Sequence, residues 1–422
     1  AGSGLFVLES MDDVGSESAV FTKRDDHPNA DNTNVEQMEI YWAEADRQQT
    51  LYSNGELDLG DGAITPSGNL NREALPDHIQ EVTRWLRSTS GDLWQLNWNN
   101  EHLQNLWVRR ALIEAVDWNA VSANGWGEEG SQVLEHDTFM LDAISESTFS
   151  EEFLSNLHTY SRSSNTSRAN EYMRKAGYTK QGGQWIDRNG NPAEIDMSCR
   201  SGTPAGVQGS RTITNSLQSW GFGVNFTTMS WSSWNSSIDP NSGLNYDSTM
   251  MWHQGNAPFA FYHDRGAWWN NPLVAGSPTN ASPYNADPED EFDTQGKPIV
   301  QQVPTEAGAI EAPDEAGPSP DLSIESEEIN LVETVDAIRE PGNSEEDLQE
   351  LYRTCARYYN FYVPHFPFHQ YLHGAFGNVR DFNWPSSGAR ALDYERSFGI
   401  PDVLMQGGIV QASTDTDFPE PE

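Results

Sequence analysis

The chain is short of basic residues, and above all of lysine. Its 422 residues include 24 Lys and Arg against 64 Asp and Glu, which gives a formal net charge of −40. Nucleic-acid binding needs clustered basic side chains to neutralise phosphates, so this composition excludes it. Acidic residues spread along the whole chain predict a surface suited to concentrated salt, where cations screen the self-repulsion. The only lysines are Lys23, Lys175, Lys180 and Lys297.

Cysteine is almost as scarce, and long apolar runs are missing. Cys199 and Cys355 lie far apart without a C-x-x-C spacing, so neither a disulfide framework nor a zinc site is indicated. No uninterrupted apolar run of about 18 residues occurs, so no transmembrane helix is predicted. The first residues have no basic start and no long apolar core, so they are not predicted to be a signal peptide.

Sequence motifs of enzymes are also missing. The chain has neither a G-x-S-x-G nor an H-E-x-x-H motif, and no cysteine has a recognisable histidine partner. Acidic pairs that could imitate the carboxylates of glycosidases carry little weight in so acidic a chain. We therefore predict that the protein is not an enzyme and uses no cofactor.

Three histidines, His365, His369 and His373, recur at every fourth position. Pro364 and Pro367 forbid the helix that would gather them on one face. On a strand they would share a face but span roughly 26 Å, which is too far for a single ion. We predict that they bind no metal.

Aromatic residues, in contrast, are plentiful: they make up 11% of the chain and include 15 Trp. The clearest local pattern is residues 97–117, where an Asn-rich strand end precedes a helix. Apolar residues such as Leu112 recur there at helical spacing, whereas Arg109, Arg110 and Glu114 fall on other faces. The pattern predicts an amphipathic helix with one stripe in the core and one charged stripe in water.

Strands and helices alternate along much of the chain, which predicts an α/β fold. Gly177 marks the end of one helix, and Asn189–Gly190 is predicted to close a hairpin. Residues 276–345 are rich in Pro, Gly, Ser and acidic residues, and they predict a long solvated excursion. Helices are predicted over 44–53, 74–87, 168–176, 210–220 and 344–362, and strands over 35–42, 92–99, 195–198 and 221–226.

Several of these segments carry compound motifs. Val108–Asp117 follows V-R-x-A-(x)n-A-(I/V)-D, and residues 55–59 follow G-(E/N)-(I/L)-D-x. Residues 168–192 resemble A-x-x-L-L-x-x-A-G-(Y/W), with Tyr172 and Met173 at the two Leu positions, and then W-x-D-x-(D/N)-G-(K/x)-P. In these motifs the chain resembles the extracellular solute-binding proteins of ABC importers, family five. The resemblance implies a two-lobed α/β fold of the periplasmic-binding-protein-like type II, with mixed sheets flanked by helices. It also implies strands over 246–252 and 363–369, which match strands of the family.

The resemblance also implies how the chain divides into lobes. Residues 1–92 and 375–422 would form lobe one, and residues 93–374 would form lobe two, with 276–345 as its acidic, loop-rich excursion. Gly2–Leu8 resembles a turn that family members carry well inside lobe one. We therefore expect lobe one to be incomplete at its N-terminus, with the export signal and a membrane anchor in a missing segment.

The function that the resemblance implies is the capture of a solute. A monomer outside the cell, at its surface, would close two lobes over a peptide-like ligand and deliver it to an ABC permease in the membrane. An oligosaccharide is the alternative ligand within the same family. A secreted glycan-active enzyme and a structural surface protein are more distant alternatives.

Candidate ligand-binding residues come from segments that border the cleft in this family. Its peptide binders carry an acidic residue shortly after a strand that begins with (Y/F)-D, where the ligand's amino terminus binds. The corresponding run here, 252–258, has no carboxylate, and a buried ammonium without a counter-charge is costly. Asp61 could serve the amine instead, while Trp rings beside amide and imidazole groups suit sugars or neutral peptide groups. The candidate set is Asp61, Trp94, Asn97, Trp252, His253, Gln254 and Asn256.

The chain also contains acceptor sequences for N-linked glycans, which are relevant to an exported protein. In a chain rich in Asn and Ser, the N-x-S/T motif by itself is weak evidence of modification. The motif begins at Asn165, Asn225, Asn235 and Asn280.

Overall fold

A computed structural model describes most of the chain, and the residues it describes are 4–9, 18–41, 50–61, 75–82, 86–128, 130–238, 244–255, 257–265, 288–293, 295–373, 375–384 and 411–412. The chain forms two compact units, one of residues Ala1–Ser88 and Leu372–Glu422, the other of Thr89–Tyr371. It passes between them inside two strands, Leu86–Leu96 and His365–His373. The boundaries predicted at 92 and 374 lie a few residues further along the chain.

The first unit contains two small antiparallel sheets. Phe376 packs there against Tyr52 and Ile79, and the Tyr52 hydroxyl donates to the Phe376 carbonyl oxygen at 2.9 Å. One sheet has β1 (Phe6–Leu8), β2 (Ser18–Lys23) and β3 (Gln37–Tyr41) in that order, and the other has β16 (Ala375–Asn378) between β4 (Leu59–Asp61) and β5 (Ile79–Glu81). Strands β17 (Phe382–Asn383) and β18 (Gln411–Ala412) form a separate pair.

The predictions for this unit have mixed outcomes. Strand β3 confirms the strand predicted over 35–42, and residues 50–53 are helical as predicted, while 44–49 lie outside the described residues. The helix predicted over 74–87 is wrong, because β5 lies inside that range and a further strand begins at Leu86. Backbone pairing with β16 and burial of Ile79 against Phe376 stabilise the strand here.

The second unit is built on a six-stranded mixed sheet. Strand β10 is parallel to both of its neighbours, whereas β6 and β7 are antiparallel to theirs, β12 and β15 respectively. The predicted strands over 92–99, 195–198, 221–226, 246–252 and 363–369 all contribute to it. The order is β11 (Gly223–Met229), β10 (Glu194–Arg200), β12 (Ser248–Gln254), β6 (Leu86–Leu96), β15 (His365–His373) and β7 (Ser131–Val133).

Helices accompany this sheet, and side-chain caps explain several of their starts. Asn105, Asn165 and Ser344 each accept a hydrogen bond from a backbone N–H group of the first helical turn. The helices are α1 (Leu106–Ala115), α2 (Trp118–Trp126), α3 (Asp142–Thr148), α4 (Glu151–Asn156), α5 (Thr166–Lys175), α6 (Pro204–Trp220), α7 (Trp231–Ser237), α8 (Leu331–Ala337) and α9 (Glu345–Tyr362), with a π-helical turn at Ala260–Arg265.

The segment after α5 contains the predicted turn and, before it, a hairpin that was not predicted. Strands β8 (Thr179–Gln181) and β9 (Gln184–Ile186) are joined by Gly182 and Gly183, whose φ angles of 58° and 92° suit a two-residue hairpin turn. Asn189–Gly190 forms a separate turn further on, in which the Asp187 carboxylate accepts from the Asn189 N–H group. The predicted turn is confirmed, because it places Ile186 opposite Pro192 in an antiparallel bridge.

The charged residues of α1 are buried, which corrects the predicted wet stripe. All residues of this helix are buried, including Arg109, Arg110 and Glu114. Arg109 donates two hydrogen bonds to the Tyr362 carbonyl oxygen, and Arg110 donates two to that of Phe361. These two residues end α9, where carbonyl groups lack partners within the helix and the helix dipole favours a cation. The two guanidinium groups therefore cap a second helix.

The segment predicted as a solvated excursion is largely structured. Within the described residues 295–345 it contains α8 and a hairpin of β13 (Val300–Pro304) and β14 (Ser326–Asn330), and Val303 is fully buried. The Ile310 carbonyl accepts from Arg110 at 2.5 Å. The prediction is wrong here because this segment supplies hydrogen-bond acceptors that the buried polar groups of α1 require. Residues 276–287 lie outside the described part of the chain.

Candidate functional site

Functional side chains come together where three neighbouring strands of the six-stranded sheet end. Strands β10, β11 and β12 point the same way, and their carboxyl ends lie at Arg200, Met229 and Gln254. In α/β sheets ligands bind most often outside the carboxyl ends of the strands. The ends of these strands are therefore the candidate binding surface of the second unit.

Three indole rings cluster at these strand ends. Trp231 opens α7 directly after β11, Trp234 follows one turn later, and Trp252 lies near the end of β12. The rings of Trp231 and Trp252 are nearly parallel, with 6.0 Å between centroids and 14° between planes. Trp234 is fully buried, whereas Trp231 remains 53% exposed. The cluster thus has a buried base and an exposed outer ring.

A cation lies against all three rings. The guanidinium carbon of Arg200 is 4.6 Å from the centroid of Trp252, 5.1 Å from that of Trp231 and 5.7 Å from that of Trp234. Cation–π attraction of this kind stabilises a guanidinium group beside aromatic faces. We call Arg200, Trp231 and Trp252 the aromatic edge, because these three residues combine apolar rings with a positive charge.

The aromatic edge stands on a fixed base. The indole N–H group of Trp234 donates to the Thr249 hydroxyl at 2.8 Å, and that hydroxyl donates to the Ser198 carbonyl oxygen at 2.8 Å. Thr249 and Ser198 belong to paired strands of the sheet. The sheet therefore fixes the orientation of Trp234. The rings of Trp231 and Trp252 pack against this fixed side chain.

A buried polar network lies beside Trp252. Asp92 is directly opposite Trp252 in the β6–β12 pair. Its carboxylate accepts from the Tyr371 hydroxyl at 2.5 Å and lies 3.0 Å from Nε2 of His369. Burial lowers the pKa of His369 although the hydrogen bond and charge of Asp92 oppose that shift. The ring is therefore neutral at neutral pH, with its Nε2 proton directed at the carboxylate.

The same histidine also contacts a serine. Its Nδ1 atom lies 3.2 Å from the Ser122 hydroxyl. Ser122, His369 and Asp92 have the residue types of a hydrolytic triad, but their side chains are buried, with 3%, 0% and 6% exposure. Ser122 lies within α2, and a substrate could reach its hydroxyl only if the core opened. The network therefore joins α2 to the sheet and is not a reaction centre.

Three of the predicted ligand-binding residues are in the core. Trp94 is fully buried and its ring centroid is 6.0 Å from that of Trp118. The Asn97 amide donates to the Tyr246 carbonyl oxygen at 2.7 Å, and it is 2% exposed. His253 is 1% exposed, and its Nε2 lies 2.6 Å from the carbonyl oxygen of residue 139. Each of these side chains has an evident packing or hydrogen-bonding role.

The remaining candidates lie elsewhere. Trp252, which belongs to the aromatic edge, is half-buried, and Gln254 is exposed two residues further along β12. Both side chains therefore reach the surface. Asp61 ends strand β4 of the first unit, and its side chain lies outside the described part of the structure. Asn256 is outside the described residues altogether.

The prediction of the site missed Arg200 and Trp231. A signal for both is present in the sequence, because each lies within five residues of the end of a predicted strand, which is where α/β folds place ligand-contacting groups. Among the residues that the structure describes, no group of three or more His, Cys, Asp and Glu side chains is arranged to hold a metal ion. None of the described helices combines the length and apolar character needed to cross a bilayer.

One protein-family profile matches the chain. This profile, described as bacterial extracellular solute-binding proteins, family 5 Middle, matches residues 1–272. No curated protein sequence matches the chain.

Solved structures with the same fold are numerous. The periplasmic oligopeptide-binding protein of an oligopeptide ABC transporter from Thermotoga maritima superimposes with a TM-score of 0.69 at 13% identity, over 98% of this chain and 69% of that one. The mannohexaose-bound structure of the same protein has a TM-score of 0.64 over the same shares of both chains, also at 13% identity. The oligopeptide-binding protein AppA from Bacillus subtilis, in complex with a nonapeptide, has a TM-score of 0.61 at 11% identity, over 98% and 67%. These likenesses confirm the predicted fold class.

Proposed function

Because the chain belongs to the bacterial extracellular solute-binding proteins of family 5, which serve ABC importers, we propose that it captures a peptide-like solute outside the cell and delivers it to the importer's permease. The two compact units would be the lobes, and their closure over the ligand would be a hinge motion. Proteins of this family bind solutes and do not transform them, which confirms the prediction that the chain is not an enzyme.

The aromatic edge is the observation that carries this proposal. Trp231 presents a half-exposed ring at the carboxyl ends of parallel strands, beside Trp252 and the charge of Arg200. Exposed tryptophans at such a position are typical of binding surfaces and are not needed for packing. An arginine among them attracts a carboxylate, which every peptide carries at its C-terminus.

The predicted ligand-binding residues separate into two groups on this basis. We propose that Trp252 and Gln254 contact the ligand, because both reach the surface at the aromatic edge. Trp94, Asn97 and His253 would support them from the core, since their side chains are buried and engaged. Asp61 remains our candidate for the ligand's amine.

An oligosaccharide is the second candidate ligand. The nearly parallel rings of Trp231 and Trp252 suit the apolar faces of sugars as well as they suit peptide side chains. The related protein from Thermotoga maritima, named as an oligopeptide-binding protein, has been crystallised with mannohexaose. Arg200 favours the peptide, because its positive charge attracts the carboxylate of a peptide and a neutral sugar has no such group.

Calorimetry on the full chain tests the proposal. Di- to pentapeptides are titrated first, followed by manno- and cello-oligosaccharides. Trp231→Ala is expected to weaken binding of the ligand by about 2 kcal/mol, or roughly 30-fold, as the loss of a central aromatic contact does. Phe292→Ala removes a comparably exposed aromatic ring elsewhere in the same unit and is the matched control.

The outcomes separate the alternatives. Peptide binding that is lost in Trp231→Ala and retained in Phe292→Ala supports the proposal. Heat from sugars alone would replace the peptide with the oligosaccharide. Equal affinity of both variants and the parent chain would show that the aromatic edge is not the binding surface.

A further inference from the structure

One of the acceptor sequences for N-linked glycans, which the proposed function does not use, lies beside a surface groove. The N-linked acceptor sequence Asn165-Thr166-Ser167 lies at the start of α5, where Asn165 is the N-cap residue. Beside it runs a surface groove of about 460 Å³, and both Ser164 and Thr166 line it. Asn165 therefore stands between two residues of the groove wall.

The groove has an unusual chemistry for this protein. Its lining consists mainly of neutral hydroxyl and amide side chains, such as those of Asn124, Thr212 and Ser216, with the indole of Trp220 at one side. No acidic or basic residue of the described chain lines it, although Asp, Glu, Lys and Arg make up 21% of the sequence. A neutral groove on so charged a surface suits a ligand that is itself neutral and rich in hydroxyl groups.

The wall groups can accept such a ligand without losing their present bonds. The Thr212 hydroxyl donates to the Gln208 carbonyl oxygen, and the Ser216 hydroxyl donates to that of Thr212. Because a hydroxyl oxygen keeps acceptor capacity while its proton is engaged, each can still accept from a sugar hydroxyl. The volume falls in the range of small-molecule sites, which is enough for the first sugars of a glycan.

We propose that Asn165 carries an N-linked oligosaccharide whose first sugars pack into this groove. The donor would be a lipid-linked oligosaccharide with a phosphate leaving group. The Asn165 Nδ2 atom forms a bond to the anomeric carbon, and the bond from that carbon to the phosphate oxygen breaks. The electron pair leaves with the phosphate, and the Nδ2 proton passes to a base of the transferase.

The local geometry distinguishes Asn165 from the other acceptor sequences. Its Oδ1 atom accepts from the Arg168 N–H group at 3.1 Å, a bond that survives glycosylation because only Nδ2 reacts. Within the described chain, Nδ2 of Asn165 has no hydrogen-bond partner. Thr166 and Ser167 are exposed in the first helical turn, where the N–H groups have no partners within the helix. This segment can therefore adapt to a transferase at little cost.

The other two described acceptor sequences are less accessible. The Nδ2 atom of Asn225 donates to Asp196 at 3.1 Å, and Asn225 lies within a paired strand. Asn235 lies inside α7, and the Ser237 that completes its motif is 7% exposed and bonded to the Trp234 carbonyl oxygen. Asn280 lies outside the described residues. We expect modification at Asn165 and not at Asn225 or Asn235.

Peptide mapping by mass spectrometry tests the modification on the full chain purified from cells that N-glycosylate exported proteins. Trypsin cleaves after Arg162 and Arg168 and so isolates the acceptor sequence in one short peptide. A glycan on this peptide that is absent in Ser167→Ala but present in Thr166→Ala is the expected result. Thr166→Ala is the matched control, because it alters the same exposed turn and leaves the acceptor motif intact.

Hydrogen exchange tests the packing of the glycan. Enzymatic removal of the glycan from the folded protein is expected to raise the hydrogen-exchange rate of the backbone amides around Thr212 and Ser216, which the glycan would cover. The exchange rate of β10 is expected to stay unchanged. An unmodified Asn165 in cells that glycosylate another exported protein, or modification of Asn225 or Asn235 in its place, would overturn the site. A glycan on Asn165 whose removal leaves exchange in α6 unaltered would overturn its placement in the groove.

Discussion

Replacing Arg109 by Met tests the buried centre of the second unit. The Arg109 guanidinium donates to the carbonyl oxygens of Tyr362, Leu103 and Gln104 at 2.7–3.0 Å and lies 3.5 Å above the Trp98 ring. Burial lowers its pKa to about 9, so it remains charged at neutral pH and contributes a full positive charge at the end of α9.

The magnitude follows from the groups that Met would leave behind. Three carbonyl oxygens would lose a donor, those of Leu103 and Tyr362 in buried hydrogen bonds and that of Gln104 in a partly buried one, and each buried loss costs about 1–3 kcal/mol. Met fills a similar volume and removes the cost of burying a charge, which offsets part of that loss. We therefore expect the free energy of unfolding of the second unit to fall by about 3–5 kcal/mol, the usual result of breaking a buried charged network.

Urea unfolding followed by tryptophan fluorescence measures this change, since Trp98 lies directly under the guanidinium group. Arg211→Met is the matched control, because Arg211 is exposed on α6 and its replacement should change stability by less than about 0.5 kcal/mol. The two units can unfold in separate transitions, so the transition to compare is that of the second unit, which contains most of the 15 Trp residues. A loss below about 1 kcal/mol in Arg109→Met would refute the capping role.

Three further predictions concern pH, packing and the ligand. Burial lowers the pKa of His158 to about 3, so as the pH falls the unfolded chain binds a proton at His158 before the folded chain does, and stability decreases from about pH 6.5 towards pH 3. In urea titrations at pH 7 and pH 4, His158→Gln should reduce this loss of stability by about 3 kcal/mol. Gly91→Ala should lower the melting temperature strongly, since a Cβ there would lie 2.0 Å from the His369 carbonyl oxygen; an unchanged melting temperature would contradict the close approach of β6 and β15. Asp61→Asn should weaken peptide binding in calorimetry by about 2 kcal/mol if this carboxylate receives the ligand's amine, and unaltered peptide affinity would remove Asp61 from the site.

Local interactions made several features predictable from the sequence. Ser344 and Asp347 form a reciprocal capping box at the start of α9, and Gly177 takes a positive φ at the end of α5, because both depend on neighbours a few residues away. The strands at 35–42 and 92–99 were predictable from the alternation of apolar and polar residues. The family motifs rest on the same kind of short-range order, and they led to the fold class.

Only the tertiary structure decided which polar and aromatic side chains are buried. Arg109 and Arg110 have the spacing of a wet helix face, yet carbonyl groups of α9 and of the segment near residue 310 surround them. Trp94 and Trp231 are chemically identical, but one is sealed in the core and the other is 53% exposed. Burial depends on partners that lie hundreds of residues away in the chain, and neither hydrophobicity nor periodicity contains that information. The sequence therefore determined most of the elements and the family, whereas long-range packing determined which of its side chains remain at the surface to bind a ligand.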